Sequence, residues 1–280
     1  MMSSPQLLHH RSIVSVSGAD AEPFLNGILT VSTIGIRQNE NRYGALLTPQ
    51  GKVIADMLVT REGDAILLDC AASVAPALLK RLNMFKLRAL VAVGERTDLG
   101  AIAFAGEADP RAPEAPHRRI APRASAPAGD PAQYHAARIA AGLPEQGLDF
   151  GSEEVFPAEI NMDLFDGVDF RKGCFVGQEV VSRMKRRGTA RRRTLRATVP
   201  AGTAASAPVL AISASGGFEI GTLTSVSGSA ALARIRIDRM TEARARNEAI
   251  TVDGHAIQLD APPWLADELA AIAEAKEART

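Results

Sequence analysis

Thiols are scarce in this sequence: Cys70 and Cys174 are the only two, far apart and in no C-x-x-C pair. A conventional iron–sulfur cluster takes four cysteine ligands, so this chain alone cannot hold one in the ordinary way. Any part in iron–sulfur chemistry would be indirect or shared between chains. The five histidines, at 9, 10, 117, 135 and 255, lack finger-like spacing, and no metal site is expected. No apolar run approaches the roughly 20 residues that a membrane helix needs. The start, Met1-Met2-Ser3-Ser4-Pro5-Gln6, has neither a basic flank nor an apolar h-region. A cytoplasmic protein with no membrane partner is the expectation.

What is present suits an ordinary globular protein. The 280 residues are 46% hydrophobic and 23% charged, which excludes disorder, collagen and a disulfide scaffold. At roughly 150 residues per domain the length suggests about two domains. The 32 basic and 32 acidic residues cancel, but not evenly. Arg183, Lys185, Arg186, Arg187, Arg191, Arg192, Arg193 and Arg196 fall in one stretch without an acid. That block could meet nucleic acid or an anionic substrate, or be a solvated face. Aromatics are only 4% of the chain and none interrupts the block, so base stacking is poorly supported.

Along the chain, Ser12–Ser17 alternates like a half-buried strand, and Gly18-Ala19-Asp20 opens a short helix through Phe24, Leu25 and Ile28. Segments 42–48, 52–60 and 65–70 read as antiparallel strands joined by Thr48-Pro49-Gln50-Gly51 and Glu62-Gly63-Asp64. A helix with Val74, Leu78, Leu82 and Phe85 on one face follows, then an apolar strand at 89–93. Residues 105–131 are rich in proline and alanine and read as a surface connection with at most one short strand near 117–120. Residues 134–141 form an alternating or helical run, and 149–170 is loop-rich. Beyond Arg193, short strands at 195–199, 208–213, 218–227, 230–237 and 249–259 suggest a small barrel. Pro262-Pro263 ends it, and the tail places Leu265, Leu269 and Ile272 on one face of a packing helix. The fold class is α+β: an α+β domain over 1–194, a β-barrel over 195–262 and a helical tail over 263–280.

The densest chemistry lies in Lys172-Gly173-Cys174-Phe175-Val176-Gly177-Gln178-Glu179, followed at once by a helix pattern. This puts the Cys174 thiol on a tight turn before a helix N-terminus with Lys172 two residues away. Both the helix end and the ammonium favour thiolate over thiol. The alternative is an inert buried cysteine. Cys70, closing the apolar run from Ala65, is assigned to the core.

These eight residues resemble the K-G-C-[YF]-x-G-Q-E signature of the YgfZ family of folate-binding proteins, relatives of the glycine cleavage T-protein. Gly18-Ala19-Asp20, Phe24–Thr30, Leu47–Lys52 and Gly142-Leu143-Pro144 stand in the order this family shows. The resemblance implies two ferredoxin-like halves and a C-terminal β-barrel around a channel for tetrahydrofolate or a one-carbon derivative. It implies folate-dependent assembly, maintenance or repair of iron–sulfur enzymes, including those that modify transfer RNA. Partners would be iron–sulfur client proteins or assembly machinery. Carried over residue by residue, Cys174 and Lys172 are the reactive pair, and Gly173, Gly177, Gln178 and Glu179 complete the motif. Asn26 and Thr30 belong to the folate-lining segment, and Tyr134 stands where an aromatic can stack on the pterin, worth roughly 1 kcal/mol. Arg11 departs from an aromatic position, and the 105–131 stretch implies a trimmed second half. Arg183 and Arg187 could meet the glutamyl carboxylates. Two other functions stand beside this one. A folate-dependent aminomethyl or methyl transferase would use a carboxylate among Asp56, Asp163, Asp166 and Asp169. An RNA-binding module would use the 183–196 block, and nucleic acid is the less favoured partner.

Overall fold

The structure is a computed structural model that describes residues 4–188, 190–214, 216–260 and 265–277. Its first part runs β1 (Gln6–Leu7), β2 (Arg11–Ser17), α1 (Ala21–Ile28), β3 (Asn41–Leu47), β4 (Val53–Glu62), β5 (Ala65–Ala71) and α2 (Ala75–Phe85). It continues with β6 (Ala92–Glu95), β7 (Leu99–Ala103), β8 (Arg118–Pro122) and α3 (Pro131–Ala140). A five-stranded antiparallel sheet has the order β3-β4-β5-β2-β6. The apolar stripes of α1 and α2 cover one face, burying Leu25, Leu78 and Leu82 against Val14, Met57 and Leu68. Burying each such leucine contributes about 1.5–3 kcal/mol. The other face is covered too, which is why eight successive residues of β4 are buried and alternation is lost there.

The second layer is small. A three-stranded sheet, β1-β7-β8, packs through Leu99, Ala101 and Ala103, together with Tyr134 of α3, onto Ile13 and Leu67 of the first sheet. The proline- and alanine-rich connection contributes only β8 and a 3-10 turn at Arg123–Ser125. The strand expected at 89–93 lies instead at Ala92–Glu95. The Leu90 amide donates to Asp20 Oδ2 at 2.7 Å, so this stretch is spent on the start of α1 and leaves Leu90 exposed.

The last part consists of α4 (Gln178–Arg187), β9 (Arg192–Thr198), β10 (Pro208–Ser213), β11 (Gly216–Ser227), β12 (Ala230–Arg236) and α5 (Ile237–Ala245). After it come β13 (Ala249–Val252), β14 (His255–Ala256), β15 (Gln258–Leu259) and α6 (Ala266–Glu277). Seven of these strands form one antiparallel sheet in the order β14-β13-β10-β11-β12-β9-β15. Its two outermost strands, β14 and β15, are separated in the chain by Ile257 alone. A sheet whose opposite edges are one residue apart must curl on itself, and the result is a nearly closed barrel. Leu265, Leu269 and Ile272 pack on the barrel core as expected of the tail helix. Pro262-Pro263 and residues 278–280 lie outside the described residues.

Candidate functional site

Cys174 is exposed, and the residues that follow it explain why. Phe175 is buried in the cluster with Tyr43, Phe150 and Met162, and Val176 packs on the core beneath α1. With both apolar neighbours pinned, the turn carries the thiol outward. Gly177 closes that turn at φ +81 and stands as N-cap of α4. A Cβ there would lie 2.6 Å from the Thr48 carbonyl oxygen. Its counterpart is Gly51, also at φ +81, whose Cβ would meet Val180 of α4 at 3.2 Å. The Thr48–Gly51 hairpin turn and the cysteine motif therefore seat on one another, glycine against helix start. Gly173, by contrast, faces open space. Gln178 is half-buried, and Glu179 is exposed and pairs with Arg183 at 2.5 Å.

Lys172 is not a free ammonium beside the thiol. Its Nζ donates to the carbonyls of Asn26 at 2.5 Å, Leu29 at 2.6 Å and Val31 at 3.2 Å. It thereby satisfies the orphan acceptors at the C-terminal end of α1. Burial pushes this ammonium down to about 8. Thr30 is fully buried in the same seat: its hydroxyl donates to the Gly167 carbonyl at 2.6 Å and accepts from the Ala45 amide at 2.9 Å. Its own carbonyl accepts from the Asp169 amide at 2.9 Å. The Asn26 side chain accepts from the Thr33 amide at 3.3 Å. Asn26, Thr30 and Lys172 thus come together, as the docking seat of the Cys174 loop.

Tyr134 belongs to a different place, a charged network buried between the two layers. Arg11 pairs with Asp69 at 2.7 Å and Glu145 at 3.1 Å; Arg118 pairs with Asp69 at 3.0 Å and donates to the Tyr134 hydroxyl. Arg138 meets Asp149 at 2.6 Å, and His10 meets Glu145 at 3.3 Å. Burial opposes the Glu145 carboxylate, but His10, Arg11 and Arg118 hold it well below the usual carboxylate range. Burial pushes the Tyr134 hydroxyl up to about 12. Asp56 lies on the same face of the sheet, accepting from the Tyr43 hydroxyl at 2.9 Å, and burial raises its carboxyl despite Arg11 and Arg111. Among the described residues Asp56 Oδ1, Glu145 Oε2 and Arg118 Nε are buried without hydrogen-bond partners, although Glu145 Oε2 faces Arg138 Nε at 3.7 Å. The network was not read from the sequence, although a carboxylate in the apolar run Ile66-Leu67-Leu68-Asp69-Cys70 signals a buried partner. Cys70 itself is buried and pushed up to about 12, a core thiol as expected.

The basic block is divided by the fold. Arg193 is buried on Asp163 at 2.5 Å and Glu268 at 2.8 Å, Arg192 faces Glu159 at 3.6 Å, and Arg196 faces Asp260 at 3.3 Å. Arg186, Arg187 and Arg191 are exposed and pair with no carboxylate among the described residues. Arg187 also borders a cavity of about 500 Å³ between α4, the 157–160 turn and α6. Of the aspartates, Asp163 is engaged by Arg193, and Asp169 accepts from the amides of Arg171 and Lys172 at 2.9 and 3.1 Å. No cluster of three or more metal-ligating side chains occurs among the described residues.

Comparison with known proteins bears on this arrangement. Residues 191–267 match the family model described as the C-terminal beta-barrel domain of CAF17. The iron-sulfur cluster assembly factor IBA57 homolog, mitochondrial, of Pyricularia oryzae is 33% identical over 225 residues, covering 67% of this chain and 55% of its own length. The mitochondrial IBA57 of Mus musculus is 28% identical over 254 residues, covering 75% of this chain and 71% of its own. The chain spans about half the length of several of these curated relatives, 52% for the homolog of Neurospora crassa. The expectation of a cytoplasmic protein is corrected here, because these relatives are named mitochondrial. Among solved structures, the glycine cleavage system aminomethyltransferase T of Bartonella henselae superposes with a TM-score of 0.70 over 93% of this chain and 85% of its own, at 16% identity. At that identity the likeness speaks for the fold alone. The chain is a T-protein-like α+β fold carrying a C-terminal β-barrel of the CAF17 kind.

Proposed function

We propose that this chain is a folate-binding factor of the YgfZ type that supports the assembly, maintenance or repair of iron–sulfur enzymes, transfer-RNA-modifying ones among them. The observation that carries the reading is the exposed Cys174, thrust out between buried Phe175 and the Lys172 seat at the start of α4. A lone exposed cysteine suits contact with a cluster or sulfur held by a client or by the assembly machinery. The names of the curated relatives support the iron–sulfur assembly part of the reading. Tetrahydrofolate, or a one-carbon derivative, is the ligand. The acceptor Asp56 Oδ1 and the donor Arg118 Nε, buried with no hydrogen-bond partner among the described residues, fit a ring that both donates and accepts hydrogen bonds. In cells lacking the protein, the wild type and Cys70→Ala are expected to restore the activity of an iron–sulfur client enzyme, and Cys174→Ala is not. Restoration by Cys174→Ala would remove the thiol from the mechanism.

A second reading, one-carbon transfer on folate, is favoured by Asp56, a buried carboxyl held by Tyr43 with one oxygen unpartnered. A carboxyl raised by burial can carry a proton to or from a reacting amine. Under this reading Asp56→Asn abolishes transfer of a one-carbon unit to tetrahydrofolate, while Cys174→Ala leaves it intact. An RNA-binding role has less support, since five of the eight basic residues of the block face carboxylates: Arg183, Lys185, Arg192, Arg193 and Arg196.

A further inference from the structure

The turn that follows α2 presents apolar side chains to solvent. Six large apolar side chains are exposed among the described residues, and three of them fall within seven positions: Met84 at 53%, Leu87 at 87% and Leu90 at 69%. The backbone that carries them is fixed. The Ala89 amide donates to the Lys86 carbonyl at 2.6 Å, closing a turn with Leu87 and Arg88 at its tip, and the Leu90 amide donates to Asp20 Oδ2 at 2.7 Å. Leu87 stands at φ +42, a left-handed conformation that glycine or asparagine adopts at far lower cost. Conformation and hydration both oppose a leucine at this tip, so neither the turn nor the core accounts for it. The charge around it is one-sided. From Ala71 to Gly94 the chain holds Lys80, Arg81, Lys86 and Arg88 and no acid. Arg81 meets Glu153 at 3.3 Å, whereas Lys80, Lys86 and Arg88 form no ion pair among the described residues.

We propose that the 84–90 turn docks on an anionic lipid surface, with Leu87 and Leu90 entering the acyl boundary and Lys80, Lys86 and Arg88 meeting the headgroup phosphates. Apolar side chains interleaved with unpaired cations on a protruding tip bind such a surface by burial and charge together. This composition suits lipid better than a protein partner. Protein interfaces are depleted of lysine, and their strongest contacts come from Trp, Tyr and Arg, with leucine under-represented. Here the exposed apolar side chains are aliphatic or Met, and the one aromatic of the stretch, Phe85, packs on the core. The contact is peripheral: no described helix is long and apolar enough to cross a membrane, and none is needed. The turn is tied to the start of α1 through Asp20, whereas Lys172 anchors the Cys174 loop at the opposite end of that helix. Lipid contact and thiol chemistry are thus separate.

The test sediments the full chain with vesicles of phosphatidylcholine alone and of phosphatidylcholine with about a third phosphatidylglycerol. Binding to the mixed vesicles is expected, weaker on phosphatidylcholine alone and weakened by salt. Leu87→Gly combined with Leu90→Ser is expected to lower the partition coefficient by about tenfold or more. Glycine suits φ +42, so this variant keeps the turn. Lys86→Gln with Arg88→Gln is expected to remove the preference for phosphatidylglycerol. Arg186→Gln with Arg191→Gln, exposed cations of the other basic stretch, and Cys174→Ala are expected to bind as the wild type does. Absence of binding by the wild type would overturn the proposal, as would binding that the turn variants keep or that Arg186→Gln with Arg191→Gln loses. If the wild type ignores the vesicles and the Leu87→Gly, Leu90→Ser variant also fails to restore a client enzyme in cells, a protein covers the turn and the lipid assignment falls.

Discussion

Lys172 shows how a residue's chemistry depends on what its end group touches. In the sequence it is a cation two positions from a thiol; in the fold it is a clamp on three carbonyls of the 26–31 segment. Lys172→Met leaves those acceptors to find water and is expected to cost about 1–2 kcal/mol at pH 7, read as a lower urea midpoint. The pH dependence has a definite sign. The folded ammonium titrates at about 8 and the unfolded one at 10.5, so between these values the unfolded chain binds the extra proton. Stability contributed by this residue therefore rises with pH across that window, and below about 8 its burial penalty stands in full. The gap between wild type and Lys172→Met should widen from pH 7 to pH 10; a constant gap would mean that Lys172 keeps its ordinary titration in the fold. The buried network gives the opposite lesson. Arg11, Asp69 and Glu145 are brought together from positions 58 and 134 residues apart, and no local pattern announces such pairs.

At the scale of elements, much was legible. β2, α1, α2 and α4 follow period-2 and helical patterns, β3–β5 and the barrel strands are short apolar runs set off by turn residues, and the structure keeps them within a few residues. What was missed lacked a period. β7 is a short apolar run buried throughout, with no alternation to read. α5 follows β12 without a turn residue, so Ile235 and Ile237 read as one continuing strand until Met240 and Ala243 turn inward at helical spacing. The motif itself was legible as a turn before a helix, but its seat on the Thr48–Gly51 hairpin was not, since that contact joins segments some 130 residues apart. Gly177→Ala tests the seat. A side chain at φ +81 costs about 1–3 kcal/mol, and the 2.6 Å approach to the Thr48 oxygen adds to it. Gly173→Ala, in open space and without a positive φ, should be close to neutral. Thermal melts of the two variants should therefore separate clearly. Equal melting temperatures would mean that α4 can begin elsewhere.

The whole molecule is tied together by polar contacts that cross from the α+β part to the barrel. Arg138 of α3 donates to Asp149 at 2.6 Å and to Ser225 of β11 at 2.7 Å, while Thr224 donates to the other Asp149 oxygen at 2.6 Å. Asn161 and Glu159 bond Thr194 of β9, and Arg193 reaches Asp163. Asp149 is thus the common partner of a helix, a loop and the barrel. Removing it strands the Arg138 guanidinium, whose side chain is 3% exposed, in a dry site. Breaking a buried pair costs roughly 3–5 kcal/mol when the remaining charge is uncompensated, and Arg138 would keep only its longer contact with Glu145 at 3.7 Å. The exposed Arg196–Asp260 pair also lies on the barrel, but water surrounds it and its loss is expected to cost less than about 1 kcal/mol. The wild type should unfold in one transition, with calorimetric and circular-dichroism curves superimposed. Asp149→Ala should lower the midpoint and pull the two curves apart as the barrel uncouples from the layers beneath it. A shift no larger than that of Arg196→Ala would show that the barrel is held by its apolar contacts alone.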